Sequence, residues 1–236
     1  METKTFNFID GEVLLIDKPF GWTSFDVVNK IRSTIKQTLN IKKIKVGHAG
    51  TLDPLATGLL IICTGKFTKK IDSFQGQDKT YVGSMFVGAT TPSFDKETEV
   101  NSTFDTSNIT KSELLNTAEN LTGEIEQTPP KYSAVKIDGK RAFEYARNDD
   151  EVKLRSRQVT IHQFELLNFD LPEIDFLVNC SKGTYIRSLV NDFGIFLNNG
   201  AYMSSLRRTA IGSYSVTKAH TVDSIIKEIT SLNKNI

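Results

Sequence analysis

The segment Gly47–Gly58 constrains the fold of this chain more than any other. It contains three glycines and a proline within twelve residues, a composition that allows a tight backbone and a close approach to a ligand. The β-prone stretch Ile44–Val46 precedes it, and the apolar stretch Gly58–Cys63 follows it. We therefore predict a tight loop between two strands, with Asp53 held beside Pro54.

The rest of the chain mixes two hydrophobic periodicities. Alternation along Tyr81–Val87 predicts a long strand, and Val13–Ile16 reads as a short one. Three predicted helices carry Val27, Val28, Ile31 and Ile35, then Leu114, Leu115, Ala118 and Leu121, then Ile186, Leu189, Val190, Phe193 and Leu197. Because strands and helices alternate without a regular βαβ repeat, the pattern favours the α+β class.

A hairpin is predicted in the second half of the chain. Asp138–Gly139 is a strong turn signal, lying between Tyr132–Lys136 and the helix-like Arg141–Arg147. The surrounding stretch is polar and basic up to about Arg157. We therefore expect a single domain over residues 1–236, with an inserted basic hairpin region at 128–157.

Charge is balanced over the whole chain, with 29 Lys and Arg residues against 28 Asp and Glu residues. No global field attracts nucleic acid, so any RNA site must be a local basic surface. Taken singly, each basic cluster reads as a solvated face. The clusters are Lys42, Lys43 and Lys45; Lys66, Lys69 and Lys70; Lys136, Lys140 and Arg141; Lys153, Arg155 and Arg157; and Arg207 and Arg208.

The two cysteines and the lengths of the apolar runs indicate in which compartment the protein is expected. Cys63 and Cys180 are far apart and outside any paired spacing, so neither a disulfide framework nor a zinc site is expected. The longest apolar run, Leu59–Cys63, is too short to span a membrane, and residues 1–10 lack an apolar signal core. These features predict a cytoplasmic protein without a membrane span.

Spacing alone leaves the role of Asp53 open. A carboxylate beside a proline is at least as often a helix cap or turn former as a catalytic group. Residues Gly47–Gly50 also match the GXXG pattern with which KH domains clamp single-stranded RNA, although four residues make a weak match. An RNA-binding module without catalytic activity is therefore an alternative at this point.

A family resemblance decides between these readings. Residues Gly47–Leu60 closely resemble the signature of the TruB family of tRNA pseudouridine synthases. Further similarity follows in the family's order at Leu15–Pro19, Gly21–Ser24, Lys79–Tyr81, Pro130–Lys140, Cys180–Arg187 and Leu206–Arg208. The resemblance implies the pseudouridine synthase fold, in which helices flank a central, mixed, mainly antiparallel sheet. It also implies isomerisation of a tRNA T-loop uridine, at position 55, without a cofactor or metal.

The resemblance assigns three central roles. Asp53 falls on the catalytic aspartate, which adds to the uridine, at C6 of the base or C1′ of the ribose, so that the base can detach and rejoin through C5. Tyr81 matches the tyrosine that stacks on the target base. Arg187 matches the arginine paired with the aspartate, and its place one position off the apolar stripe suggests a head group free to leave the core. Asp95 resembles an acidic family position, but its neighbours differ and it is left outside the predicted site.

Three further residues and the hairpin complete the expected site. His48 matches a histidine that fills the space left by the flipped uridine. Tyr185 and Leu206 correspond to residues lining the uracil pocket. The basic hairpin around Lys136–Arg147 corresponds to an element that closes over the T-loop, where its charge suits phosphate contacts.

The family pattern also frames the partners. The chain ends soon after a helix-like segment at Val222–Leu232, so we expect no C-terminal PUA domain, and the T-arm of tRNA as partner without an obligate protein partner. Two alternatives remain: a catalytically silent RNA chaperone or binder, and a guide-dependent synthase resembling the dyskerin branch.

Overall fold

The computed structural model describes residues 6–133, 135–137, 139–148 and 154–232. Its helices are α1 (Ser24–Thr38), α2 (Ile71–Gln75), α3 (Lys111–Asn120), α4 (Ala142–Arg147), α5 (Ile186–Phe196) and α6 (Val222–Ser231). Its strands are β1 (Val13–Lys18), β2 (Val46–His48), β3 (Ala56–Thr64), β4 (Lys79–Val87), β5 (Ala89–Thr90), β6 (Ser102–Thr103), β7 (Gly123–Gln127), β8 (Lys136–Ile137), β9 (Lys140–Arg141), β10 (Arg157–Leu166), β11 (Glu173–Cys180), β12 (Ala201–Ile211), β13 (Tyr214–Ser215) and β14 (His220–Thr221). Short 3₁₀ helices lie at Gly65–Lys70 and Val216–Lys218.

Two compact units divide the chain, and the first contains residues 1–79 and 207–236. Its strands follow the order β14, β1, β3 and β12, with β2 paired to β3 and β13 paired to β12. Strand β14 runs parallel to β1, whereas β1 and β2 are antiparallel to β3. Both faces of β3 are buried: Leu60 and Ile62 pack with α1 and α6, while Leu59 and Ile61 belong to a second cluster. This double burial explains the unbroken apolar run.

The second unit contains residues 80–206. Its strands follow the order β12, β4, β11, β10 and β7, and β10 is antiparallel to both β7 and β11. Helix α5 buries its apolar stripe here, and Phe193 packs against Phe164 with ring centroids 5.7 Å apart. The mixed, mainly antiparallel strands and flanking helices confirm the predicted α+β class.

Local signals in the sequence account for several of these boundaries. Thr23 and Thr110 cap α1 and α3, each in a reciprocal capping box with an acidic residue three positions later. The predicted hairpin is present as the antiparallel pair β8–β9, with Gly139 at positive φ; Asp138 lies outside the described residues. Helical spacing predicts Leu115 on the apolar face of α3, but its side chain is 45% exposed, so that prediction is wrong. Within the described ranges, no helix is long and apolar enough to cross a membrane.

Candidate active site

In the first unit, the predicted loop over Gly47–Gly58 is shorter, because its ends belong to β2 and β3; the loop itself covers residues 49–55 and is held by Arg208 of β12. This arginine is 1% exposed, and its guanidinium donates to the carbonyl oxygens of Leu59 (2.8 Å), Gly50 (3.2 Å) and Thr51 (3.4 Å). Gly58 has φ of +103°, and a Cβ there would collide with the Arg208 backbone. The prediction that Arg208 belongs to a solvated basic face was therefore wrong, because its charge is used inside the protein to hold the loop.

Lys18, at the end of β1, holds the other side of the same loop. Its side chain is fully buried, and Nζ donates to the carbonyl oxygens of Pro19 (2.9 Å), Trp22 (2.6 Å) and Pro54 (3.4 Å). Burial lowers the pKa of Lys18 to about 8; the negative charge of Asp53 opposes this shift, and the charge of Arg208 adds to it. The candidate catalytic carboxylate thus lies within electrostatic range of a buried ammonium.

The lowered pKa of Lys18 predicts a specific pH dependence of stability. Between about pH 8 and 10.5 the unfolded chain still binds a proton on this lysine that the folded protein has lost, so the free energy of unfolding rises with pH. We expect the difference in that free energy, wild type minus Lys18→Met, to increase by on the order of 2 kcal/mol across this range. Urea unfolding at pH 7.5, 9 and 10 measures it, since other lysines titrate equally in both proteins. A constant difference would contradict the assignment.

Ser24 supplies a third attachment, directly on the residue before Asp53. Its buried hydroxyl accepts from the backbone N–H of Leu52 (2.8 Å) and donates to the Leu52 carbonyl oxygen (3.1 Å). Asp53 itself is half-buried, with exposed Pro54 on one side and buried Leu52 on the other. The loop therefore presents one carboxylate from a backbone fixed on both sides.

His48 ends β2 and lies half-buried at the start of this loop. Burial lowers the pKa of His48 below its usual value; the Gly50 backbone opposes this shift, and the charge of Arg208 adds to it. We expect a neutral imidazole at pH 7.

In the second unit, Arg187 at the start of α5 forms a buried ion pair with Asp95. Their side chains are 4% and 3% exposed, and Arg187 Nε lies 3.6 Å from Asp95 Oδ2. The guanidinium also donates to the carbonyl oxygens of Ser93 (3.1 Å) and Tyr132 (2.8 Å). The head group therefore stays in the interior, contrary to what its position off the apolar stripe suggested. Asp95, omitted from the predicted site, is one acidic partner of Arg187.

Tyr185, immediately before α5, is positioned through its backbone. The side-chain amide of buried Gln127 accepts from the Tyr185 N–H (2.8 Å) and donates to its carbonyl oxygen (3.1 Å). The Arg157 guanidinium lies 4.9 Å from the centroid of the Tyr185 ring and donates to the Gly183 carbonyl oxygen. These contacts fix the turn that delivers both Tyr185 and Arg187.

The Tyr81 side chain lies on the face of β4 against which Leu206 packs. Tyr81 and Gly83 are two residues apart, so both point to one side of the strand. A Cβ on Gly83 would lie 3.3 Å from Leu206 Cδ1 and 2.9 Å from Phe176 Cζ. The missing side chain at Gly83 thus leaves the room that Leu206 and Phe176 use beside the nearly buried Tyr81. Of the predicted residues, His48 and Asp53 lie in the first unit and Tyr81, Tyr185, Arg187 and Leu206 in the second.

Two lysine clusters that are separate in sequence converge on one groove of the first unit. Pairing of Val46 with Thr64, and a hydrogen bond from the Gly65 N–H to the Lys45 carbonyl oxygen (2.9 Å), bring the segments together. The lysine groove, of about 330 Å³, is lined by Lys43, Lys45, Lys66 and Lys69 together with the apolar side chains of Ile9, Ile41 and Ile44. Asp10 pairs with Lys66 at 2.7 Å, and the remaining charge is basic.

In the described part of the chain, no group of three or more His, Cys, Asp or Glu side chains could hold a metal ion.

Comparisons with known proteins agree along the chain. Residues 36–186 match the model of the TruB family pseudouridylate synthase N-terminal domain, and residues 187–235 match the tRNA pseudouridylate synthase B C-terminal domain. The tRNA pseudouridine synthase B of Flavobacterium johnsoniae is 54% identical over 90% of this chain and 93% of its own length. That of Phocaeicola vulgatus is 52% identical over 92% of this chain and 93% of its own.

Solved structures extend the comparison to the fold. A chain of an H/ACA ribonucleoprotein bound to a substrate RNA containing 2′-deoxyuridine is 27% identical, with a TM-score of 0.65. One from a Cbf5–Nop10–Gar1 complex is 29% identical, with a TM-score of 0.67. These matches cover 92% and 93% of this chain but only 53% and 54% of the two solved chains. The pseudouridine synthase fold expected from the sequence is confirmed, and the chain belongs to the TruB family of pseudouridine synthases.

Proposed function

We propose that this protein isomerises uridine to pseudouridine in the T-loop of tRNA, at position 55, with Asp53 as the attacking carboxylate. The observation that carries the reaction is the presentation of Asp53 from a loop held by Lys18, Ser24 and Arg208. Such a carboxylate can add to the uridine without reorganising its own backbone. The substrate class rests on relatives named tRNA pseudouridine synthase B that match over most of both chains.

The reaction conserves every atom except one exchanged hydrogen. The N1–C1′ bond breaks while Asp53 is bound to the uridine, the base turns, and a C5–C1′ bond forms. The proton on C5 leaves to solvent, and N1 gains a proton. Asp53 is regenerated, so no oxidant, reductant or further co-reactant is needed.

The other residues bind and orient the uridine. Tyr81 stacks on the uracil, and Tyr185 and Leu206 line its pocket. Arg187, aimed by Asp95, contributes positive charge, and His48 takes the place that the flipped base leaves. The lysine groove and the β8–β9 hairpin are suited to phosphate contacts with the T-arm. We also propose that the protein acts in the cytoplasm and needs no obligate protein partner.

The purified chain should release tritium from a tRNA transcript carrying 5-tritiated uridine, with no other RNA or protein added. Changing the T-loop target uridine to cytidine should abolish the release, because the labelled hydrogen at the reacting C5 is then absent. Release that requires an added guide RNA would instead favour the guide-dependent alternative. Binding without release would leave the RNA chaperone.

A further inference from the structure

Two phenylalanines stand exposed beside the Asp53 loop. Phe20 is 66% exposed and Phe25 is 59% exposed, although the first unit has a large apolar core next to them. Helix α1 fills that core with Val27, Val28 and Ile31, and Phe25 faces away from it. Packing inside the unit therefore does not explain why a phenylalanine stands at either position. Exposed large apolar groups of this kind mark interaction sites.

The residue next to each phenylalanine in the chain is hydrogen-bonded to a residue next to Asp53. Gly21, after Phe20, donates its N–H to the Pro54 carbonyl oxygen at 2.9 Å. Ser24, before Phe25, binds Leu52 through its hydroxyl at 2.8 Å and 3.1 Å. The two phenylalanines therefore start from backbone that is fixed to the residues immediately before and after the attacking carboxylate.

The backbone beneath the rings is fixed before any ligand arrives. Lys18 Nζ binds the carbonyl oxygens of both Pro19 and Trp22, so the turn that carries Phe20 is closed by a buried ammonium. Phe25 lies in the first turn of α1, whose N-terminus Thr23 and Asp26 cap reciprocally. Rings on such supports lose little conformational freedom on binding, which favours affinity.

The chemistry around the rings fits a nucleobase. The Arg32 guanidinium lies 5.9 Å from the Phe25 ring centroid, so one cation accompanies this ring. The nearby Asp26 carboxylate accepts hydrogen bonds from the Thr23 hydroxyl and N–H. Exposed aromatic rings with an arginine form the surface on which unpaired bases stack. A protein partner would be expected to need a wider apolar area than two rings.

We propose that Phe20 and Phe25 form a stacking site for the unpaired nucleobases that flank the target uridine. The proposal rests on the proposed function, because it takes the RNA at Asp53 as given. When the uridine leaves its stack, His48 takes its place, and the phenylalanine rings stack on the flanking bases that the opened loop leaves exposed. The pair thus positions the loop RNA and takes no part in bond making.

The decisive variant is Phe20→Leu with Phe25→Leu, which keeps apolar side chains and removes the flat rings. We expect kcat/KM for tritium release from a T-arm stem-loop to fall about tenfold or more, since stacking on one ring is worth about that much. Phe20→Tyr with Phe25→Tyr should stay close to wild type. Phe196→Leu is the matched control, because Phe196 is 56% exposed at the end of α5 in the second unit. Unchanged kcat/KM in the double leucine variant would overturn the stacking site and leave the proposed function intact.

A cross-linking experiment tests the stacking site independently of the proposed catalytic activity. Stem-loops carrying 5-iodouridine at single loop positions beside the target should photocross-link to Phe20 or Phe25, as mapped by mass spectrometry. Cross-linking does not require turnover, so it reads the stacking site even if the wild type released no tritium. Cross-links confined to other residues would overturn the site. So would a wild-type dimer in sedimentation that the double leucine variant dissociates, because a second copy would then cover the rings.

Discussion

Replacing Asp53 by asparagine is expected to lower tritium release from tRNA by roughly 10⁴-fold or more, which is the scale of loss when a nucleophile is removed. The amide has nearly the same shape as the carboxylate, and the loop attachments through Leu52 and Pro54 use backbone atoms that the substitution leaves in place. Affinity for tRNA, measured by filter binding, should therefore change by no more than about threefold, or about 0.6 kcal/mol.

Two controls make this result interpretable. Asp53→Ala removes the carboxylate without supplying an amide in its place, so it should show the same loss if the carboxylate itself attacks. Asp72→Asn removes an exposed carboxylate from the first turn of α2 in the same unit and should leave release unchanged. Substantial release by both Asp53 variants would assign the attack to another group and contradict the proposed mechanism.

Replacing Arg208 by methionine is expected to lower the free energy of unfolding by about 3 to 4 kcal/mol, because a buried charged donor is lost and its acceptors remain. Methionine fills most of the volume but leaves the Gly50, Thr51 and Leu59 carbonyl oxygens without this donor. Tritium release should also fall in the folded fraction, since the loop that presents Asp53 loses one support. Chemical denaturation gives the first quantity, and single-turnover release gives the second.

The neighbouring arginine provides the matched comparison. Arg207 pairs with Asp17 at 2.7 Å, but its side chain is 38% exposed, so water screens the interaction. Arg207→Met should cost about 1 kcal/mol or less. Equal losses for the two adjacent arginines would show that the buried contacts of Arg208 do not hold the loop.

Helices and apolar strands were predictable because their signals are local. The capping boxes at Thr23 and Thr110 and the apolar stripe of α5 mark helices through residues within a few positions of one another. The error at Leu115 has a simple cause. Helical spacing identifies the apolar side of a helix but not how much of that side is buried, and α3 buries only the part that carries Leu114 and Ala118.

Strands β10 and β12 were not predicted, because their patterns are set by distant partners. Strand β10 carries exposed polar residues and shifts register between Ile161 and Gln163, which breaks its alternation. Strand β12 contains adjacent arginines, which read as a surface cluster. That Arg208 is buried depends on carbonyl oxygens about 150 positions away, and no local pattern can reveal it.

For the site, the sequence supplied the motif residues but not their supports. Asp53 was assigned from its segment, whereas the attachments by Lys18, Ser24 and Arg208 became visible only in three dimensions. Asp95 lies outside the predicted site because its neighbours in the sequence differ from the family pattern. Its signal is a charge that needs a buried counter-ion, and Arg187 supplies one from a distant part of the chain.

The Arg208 contact also determines when, during synthesis, the loop that carries Asp53 can take its final structure. The hydrogen bond to Gly50 joins residues 158 positions apart, so the two groups cannot meet until most of the chain has been translated. A nascent chain that already contains Asp53 still lacks the guanidinium that fixes its loop. Assembly of the active loop is thus coupled to the arrival of β12, and a chain interrupted before that strand would carry every residue of the signature motif without the means to hold it in place.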